Sequence, residues 1–283
     1  MQLSGHDNFR KLFEKLIEEK RLSHSYIFFG EREIGKYSFA VSLASFIEKG
    51  KFEKPEFRQD GFPKQLLQET LILRPEGGSL GIDDIRQAKR FLAQRPIYTD
   101  KRILIVDNAE LLTPEAQNSL LKIAEEPPGT SLMILIAENV DIFLPTLSSR
   151  FQKLHFPRLK TDLIANLLEN EYSITKNKAA AIAAISLGRP GRAINLAVNE
   201  KAIETHQRAK AFLAGSLAKR PVIDGLVENP EGISPFFTEI IAELAKNTVR
   251  NYDNLRLITE RMTVMSQFNT NRRLQLESAL WNI

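Results

Sequence analysis

The sequence predicts an α/β fold whose parallel sheet is followed by an all-helical region. Three observations carry this. Short apolar runs alternate with amphipathic stretches up to about residue 157, the order expected of a parallel sheet covered by helices on both faces. Between the first run and the next helix lies a G-x-x-x-x-G-K pattern, with Gly30, Gly35 and Lys36 in its defining positions. After Pro157 only helical periodicity remains.

Each element follows from local chemistry. Residues 8–20 read as a helix, because Phe9, Leu12, Phe13, Leu16 and Ile17 fall on one face, with Asp7 as N-cap. Ser25, Tyr26, Ile27, Phe28 and Phe29 form a short buried-strand run ending at Gly30. Residues 36–49 return to helical spacing through Phe39, Leu43 and Phe46. Residues 50–68 read as a charged, irregular insertion. Thr70 to Leu73 is a second strand, followed by turn chemistry at Pro75, Glu76, Gly77 and Gly78. Residues 83–94 are helical, with Ile85, Ala88 and Leu92 apolar. Arg102 to Asp107 is the clearest strand, apolar on both faces as a central parallel strand should be. Thr113 and Pro114 start a helix over 113–126, which ends at Pro127, Pro128 and Gly129. Residues 131–137 and 154–156 complete the strands. Helices then follow near 161–169, 176–186, 190–198, 202–216, 234–250, 253–265 and 268–282. Pro157 marks the main boundary, and Gly215 with Pro221 a softer one within 205–220. The expected domains are 1–157, 158–207 and 208–283.

Composition narrows the function. A chain of 283 residues with 43% hydrophobic and 26% charged residues can bury a core in about two domains. A net charge of +4 permits contact with nucleic acid without demanding it. With no cysteine, disulfides, thiolate zinc sites and cysteine nucleophiles are excluded. The four histidines are scattered and read as surface or capping residues, so no metal site is expected. The N-terminal stretch is polar, and no apolar run reaches the roughly 18–20 residues of a membrane span. A soluble cytoplasmic protein without a membrane partner is the expectation.

The glycine pattern carries the chemistry. Glycines at 30 and 35 let several backbone N–H groups face one anion, the helix N-terminus adds positive charge, and Lys36 reaches outer phosphates. Position 37 is Tyr, where a Ser or Thr hydroxyl would hold Mg²⁺. Ser38 comes one residue late, about 100° around the helix. Asp107 ends the strongest strand, at the edge where open parallel sheets bind ligands. Asn108 follows it and cannot act as a base, and Glu110 comes two residues later. A plain strand-to-helix turn that binds no nucleotide fits the same loop, and Asp107 equally suits a cap for the next turn.

Several segments resemble the bacterial clamp-loader subunits of the AAA+ family. Gln117, Asn118, Ser119, Leu120, Leu121, Lys122, Ile123, Ala124, Glu125, Glu126, Pro127 and Pro128 resemble the N-x-L-L-K-x-x-E-E-P-P helix end of that family. Pro145, Thr146, Leu147, Ser148, Ser149, Arg150 and Phe151 resemble its P-T-I-x-S-R-C segment. Leu22 through Gly30 is similar to the L-x-H-A-Y-L-F-x-G entry to the phosphate loop. Ile82, Asp83, Asp84, Ile85 and Arg86 match an I-D-x-I-R helix start. The resemblance is specific over about residues 5–157 and extends to about 200. It implies a RecA-like AAA+ P-loop module with a parallel sheet, a small helical lid and an all-α collar that joins subunits into a ring. That ring opens a sliding clamp and loads it on primed DNA.

The resemblance also assigns residues. Arg150 takes the position of an arginine that reaches the ATP of a neighbouring subunit; a salt-bridged surface arginine is the alternative. Asn139 lies near the sensor-1 position, though Ala137, Glu138 and Asn139 match it imperfectly. Arg192 resembles the sensor-2 arginine of the lid, or is an arginine exposed at a helix start. With Gly30, Gly35, Lys36, Tyr37 and Asp107, Asn139 and Arg192 make the expected set for ATP or ADP. Family members often carry four zinc-binding cysteines near residues 50–68, and this chain has none, so no zinc is expected. Phe151 replaces the usual Cys, and the chain's length implies a reduced collar. An intact trans arginine beside a degraded nucleotide site fits the delta-prime type of DNA polymerase III subunit. Its partners would be the motor and delta-type subunits, the sliding clamp and primed DNA. Arg86, Lys89, Arg90 and Lys122 could track phosphates, or form a solvated helix face. An active gamma/tau-like ATPase and a scaffold without nucleotide are the alternatives.

Overall fold

The computed structural model describes residues 6–75, 78–268, 270–281 and 283. Glu76 and Gly77 of the expected turn lie outside them. The described residues fall into two compact units that divide between Ala193 and Ile194.

The first unit holds a parallel sheet. Its strands are β1 (Ser25–Phe29), β2 (Thr70–Leu73), β3 (Arg102–Val106), β4 (Ser131–Ala137) and β5 (Gln152–His155). They lie in the order β2-β3-β4-β1-β5, all parallel. Of the three interior strands, β3 and β4 are buried throughout. Alternate residues serve opposite faces, as strand geometry requires. Leu104, Val106, Met133 and Leu135 pack with Ile85, Leu92, Leu120 and Ile123 of α3 (Ile82–Ala93) and α4 (Pro114–Glu125). Ile103, Ile105, Ile134 and Phe28 pack with Phe13 of α1 (Asp7–Glu18) and Phe39 and Leu43 of α2 (Lys36–Lys49). The short α5 (Pro145–Ser148), then α6 (Thr161–Tyr172) and α7 (Lys176–Ile185), follow. The unit boundary falls within α8 (Pro190–Val198).

The second unit is helical: α9 (Glu200–Leu213), α10 (Lys219–Glu228), α11 (Ile233–Leu244), α12 (Tyr252–Gln267) and α13 (Arg272–Leu280). Its core joins Phe212, Ile223, Leu226, Phe236, Phe237, Ile240, Ile258, Leu276 and Leu280. The sequence pattern names no helix over 219–228. The structure forms one because Pro221 sits in the first turn, where its missing N–H costs no internal bond. Val222, Ile223 and Leu226 supply the buried face. No helix among the described residues is long and apolar enough to cross a membrane.

Local details also differ from the sequence reading. His6, rather than Asp7, takes the N-cap position of α1, and Asp7 lies in the first turn. Thr113 caps α4 as expected, its hydroxyl accepting from the Ala116 N–H at 3.2 Å. Two histidines are buried, so the surface half of the surface-or-capping reading fails for them, although His6 does hold the N-cap position of α1. His6 is buried, and its Nε2 bonds the Ile34 carbonyl at 2.9 Å. His206 is buried with Glu239, Nδ1 to Oε2 2.7 Å.

Candidate functional site

Gly30 follows β1 with φ +141°, and a Cβ there would lie 2.5 Å from the Phe156 carbonyl oxygen. Only glycine suits both the torsion and the close approach. Gly35 has φ +103° and takes the N-cap of α2, so the helix begins at Lys36. Lys36 is buried, and its Nζ donates to the carbonyls of Gly30 and, at 2.6 Å, Glu31. Burial draws its pKa down, against the opposing pull of Glu138, Glu110 and Asp107. Gly30, Gly35 and Lys36 therefore make one closed turn at the C-terminal edge of the sheet.

Charged side chains surround that turn in pairs. Glu31 accepts from Arg158 at 2.6 Å and from Arg189 at 3.0 Å. Burial raises the Glu31 carboxyl, but the Arg158 hydrogen bond and the charges of Arg189 and Arg158 outweigh it, so the net shift is downward. Arg32 pairs with Glu138 and approaches Glu110 at 3.9 Å. The Gly191 N–H donates to the Glu33 carbonyl at 2.8 Å, bringing the start of α8 against the loop. A Cβ at Gly191 would sit 2.9 Å from the Glu33 Cβ, so a glycine is needed there too. Arg192 follows it and is buried.

Asp107 is buried just past β3, and its carboxylate meets the Arg74 guanidinium, Oδ2 to Nε 3.3 Å. Burial raises the Asp107 pKa, opposed by Arg74, the Asn108 main chain and Lys36. Tyr37 stacks on Phe57 with ring centroids 5.2 Å apart and has the Arg74 guanidinium 5.1 Å over its ring. Burial pushes its phenol up to about 12, against the Arg74 charge, so it is neutral at ordinary pH. These residues do not make a divalent-metal site. A phenol packed between Phe57 and Arg74 stands where a hydroxyl ligand would, and the strand-end carboxylate is already ion-paired. Among the described residues, no group of three or more His, Cys, Asp or Glu side chains is placed to hold a metal.

The other sequence-derived residues have contacts of their own. Asn139 is exposed, and its side chain accepts from the Asp141 N–H at 3.1 Å, a local turn contact. Its neighbour Glu138 reaches the loop instead, accepting from the Gly30 N–H at 3.2 Å through its carbonyl. Arg150 is exposed beyond α5, donating to Glu125 Oε1 at 2.7 Å and to the Thr146 carbonyl at 2.6 Å. Arg86, Lys89, Arg90 and Lys122 are all exposed on α3 and α4. Arg74, Glu138, Arg158 and Arg189 escaped the sequence reading. Each acts through a partner at least 33 residues away, which no local pattern reveals.

A parallel sheet in this order, with a glycine turn leading from β1 into α2, defines the RecA-like AAA+ class. Comparison with known proteins narrows it. The family described as "DNA polymerase III, delta subunit" matches residues 5–160, more than half of the chain. The chain belongs to that family, within the clamp-loader AAA+ group. It is 29% identical over 206 residues to the Bacillus subtilis DNA polymerase III subunit delta', covering 71% of this chain and 61% of that one. It is 28% identical over 167 residues to the gamma/tau subunit of Mycoplasma pneumoniae, covering 58% of this chain and 24% of that protein. The chain thus spans between about a quarter and three fifths of these relatives. A gamma subunit-related protein of Thermotoga maritima shares the fold at a TM-score of 0.53 and 21% identity, covering 95% of this chain and 97% of that one.

Proposed function

We propose that this chain is a delta-prime-like, non-motor subunit of a DNA polymerase III clamp loader. In this reading it joins motor and delta-type subunits in a ring that loads a sliding clamp on primed DNA. Residues 1–157 are its AAA+ module, 158–207 a helical lid and 208–283 a collar. Gly30, Gly35, Lys36, Tyr37, Asp107, Asn139 and Arg192 make its nucleotide pocket, which takes ATP or ADP weakly. Arg150 serves in trans at the ATP of a neighbouring subunit, where a guanidinium stabilises charge on the transferred phosphoryl group.

One contrast carries the reading. The chain's own centre has Tyr37 and Asn108 in place of a metal hydroxyl and a water-orienting carboxylate, with Asp107 paired to Arg74. Arg150 meanwhile stands exposed on the surface. The test is a reconstituted complex with Arg150→Ala. Neighbour ATPase should fall by about 10³-fold while the complex still assembles; unchanged ATPase overturns the trans role.

The gamma/tau relatives favour a second reading, a self-sufficient ATPase. Turnover by the purified chain with Mg²⁺ and DNA, abolished by Lys36→Ala, would establish that reading in place of the first.

A further inference from the structure

Arg74 is held by three unlike groups that converge on its guanidinium. The first is the Asp107 carboxylate. β2 and β3 pair in register with Leu73 opposite Val106, so the next residue of each strand, Arg74 and Asp107, emerges at the same sheet edge. Their side chains meet at 3.3 Å. The second is a carbonyl: Arg74 Nη1 donates to Gly61 O at 2.7 Å. The third is the Tyr37 ring, with the guanidinium carbon 5.1 Å from its centroid. Carboxylate, carbonyl and aromatic face are each a cation-receiving surface.

The segment 56–64 is shaped around this arginine. It folds back on itself through Lys64 N–H to Glu56 O at 2.8 Å, Arg58 N–H to Phe62 O at 2.8 Å, and a Phe57–Pro63 bridge. The turn places Phe57 on Tyr37 and Gly61 on Arg74. Gly61 has φ +79°, and a Cβ there would fall 1.7 Å from Arg74 Nη1. Glycine at 61 thus provides both the torsion and the space. What reads in the sequence as an irregular insertion is a fitted backing for one side chain.

We propose that Arg74 is the resident cation of this centre, standing where Asp107 would otherwise orient a hydrated divalent metal, so that the centre takes phosphate-bearing ligands without metal. The ligand class is a nucleoside diphosphate or triphosphate in its metal-free form. This rests on the reading of residues 30–36 as a phosphate cradle. A guanidinium keeps its charge across the working pH range and presents donors in a planar fork suited to phosphate oxygens. A divalent ion brought to Asp107 would meet a positive charge already in contact with its ligand.

Two measurements on the full chain test this. In the first, ADP is titrated calorimetrically with Mg²⁺ or with EDTA. The wild type should bind equally within about twofold, whereas Arg74→Gln should bind at least about tenfold more weakly in EDTA than in Mg²⁺, a difference of about 1.4 kcal/mol. Mg²⁺ strengthening wild-type binding tenfold overturns the proposal. The second needs no nucleotide. Mn²⁺ is added, and paramagnetic broadening of the Asp107 and Asn108 amides is followed by NMR. The wild type and Arg74→Lys should show none. Arg74→Gln should show broadening that Asp107→Asn removes in the same background. Broadening in the wild type, or none in a folded Arg74→Gln, overturns it. Should ADP fail to bind in either buffer, the cradle reading falls, while the Mn²⁺ arm still decides the role of Arg74. If Arg74→Gln does not fold, the wild-type arms alone can still sink the proposal, and Arg74→Lys, which keeps the charge, must then match the wild type in both.

Discussion

The glycine turn and the Arg150 corner belong to the same unit, and they treat positive charge in opposite ways. At the turn, Lys36 lies buried on main-chain carbonyls, and Arg74 is fixed between a carboxylate, a carbonyl and an aromatic ring. At the corner, Arg150 stays exposed on one carboxylate and one carbonyl. A charge satisfied from several sides inside the chain is costly to redirect, because each partner left behind loses its compensation. A charge on a solvated ion pair moves at little cost. The first region is therefore built to keep its cations, and the second can offer one to another molecule.

The sharpest way to break this comparison is at Gly30. Gly30→Val places a branched side chain at φ +141° against the Phe156 carbonyl. We expect a loss of about 3 kcal/mol or more by chemical denaturation; a loss under about 1 kcal/mol would mean the turn is not tightly packed. Next comes Asp107→Ala, which leaves the partly buried Arg74 without its carboxylate. A loss of about 1–2 kcal/mol is expected, less than for a fully buried pair because Arg74 retains some solvent.

Glu31 gives a smaller effect with a pH signature. Its folded-state pKa is depressed, so its contribution is present above the ordinary glutamate range and is lost as pH falls through and below it. Glu31→Gln should lower the melting temperature at neutral pH, and the gap from wild type should close in acid. A gap that widens in acid contradicts the pairing with Arg158 and Arg189. Smallest of all, Arg150→Ala should change the stability of this chain by no more than about 0.5–1 kcal/mol, since its ion pair is solvated. A larger loss would place Arg150 among the structural charges and erase the contrast.

Legibility followed sequence distance. The glycine turn was readable because its parts are neighbours: a five-residue apolar run, two glycines and a lysine opening a helix. Thr113 and Pro114 announced α4 for the same reason. Arg74 carried no signal, because its meaning depends on Asp107, Gly61 and Tyr37, brought to it by strand pairing and by the folding back of residues 56–64. For Asn139 the sequence offers only a position near a strand end; the structure adds a side-chain bond within its own turn and sets its neighbour Glu138 on Arg32 of the loop. The helix α10 was hidden by a proline whose effect depends on where in the helix it falls.

By itself, the sequence determined the alternation of strands and helices, the glycine turn and the substitutions at positions 37 and 108, since these follow from side-chain periodicity and from residues adjacent in the chain. Only the tertiary structure decided what fills the centre. Strand register set Arg74 beside Asp107, the 56–64 segment closed over Tyr37, and Arg158, Arg189 and Gly191 came back to the loop from far along the chain. Those contacts are pairings between distant residues, and a pairing has no trace in either partner's local sequence until the sheet brings the two together.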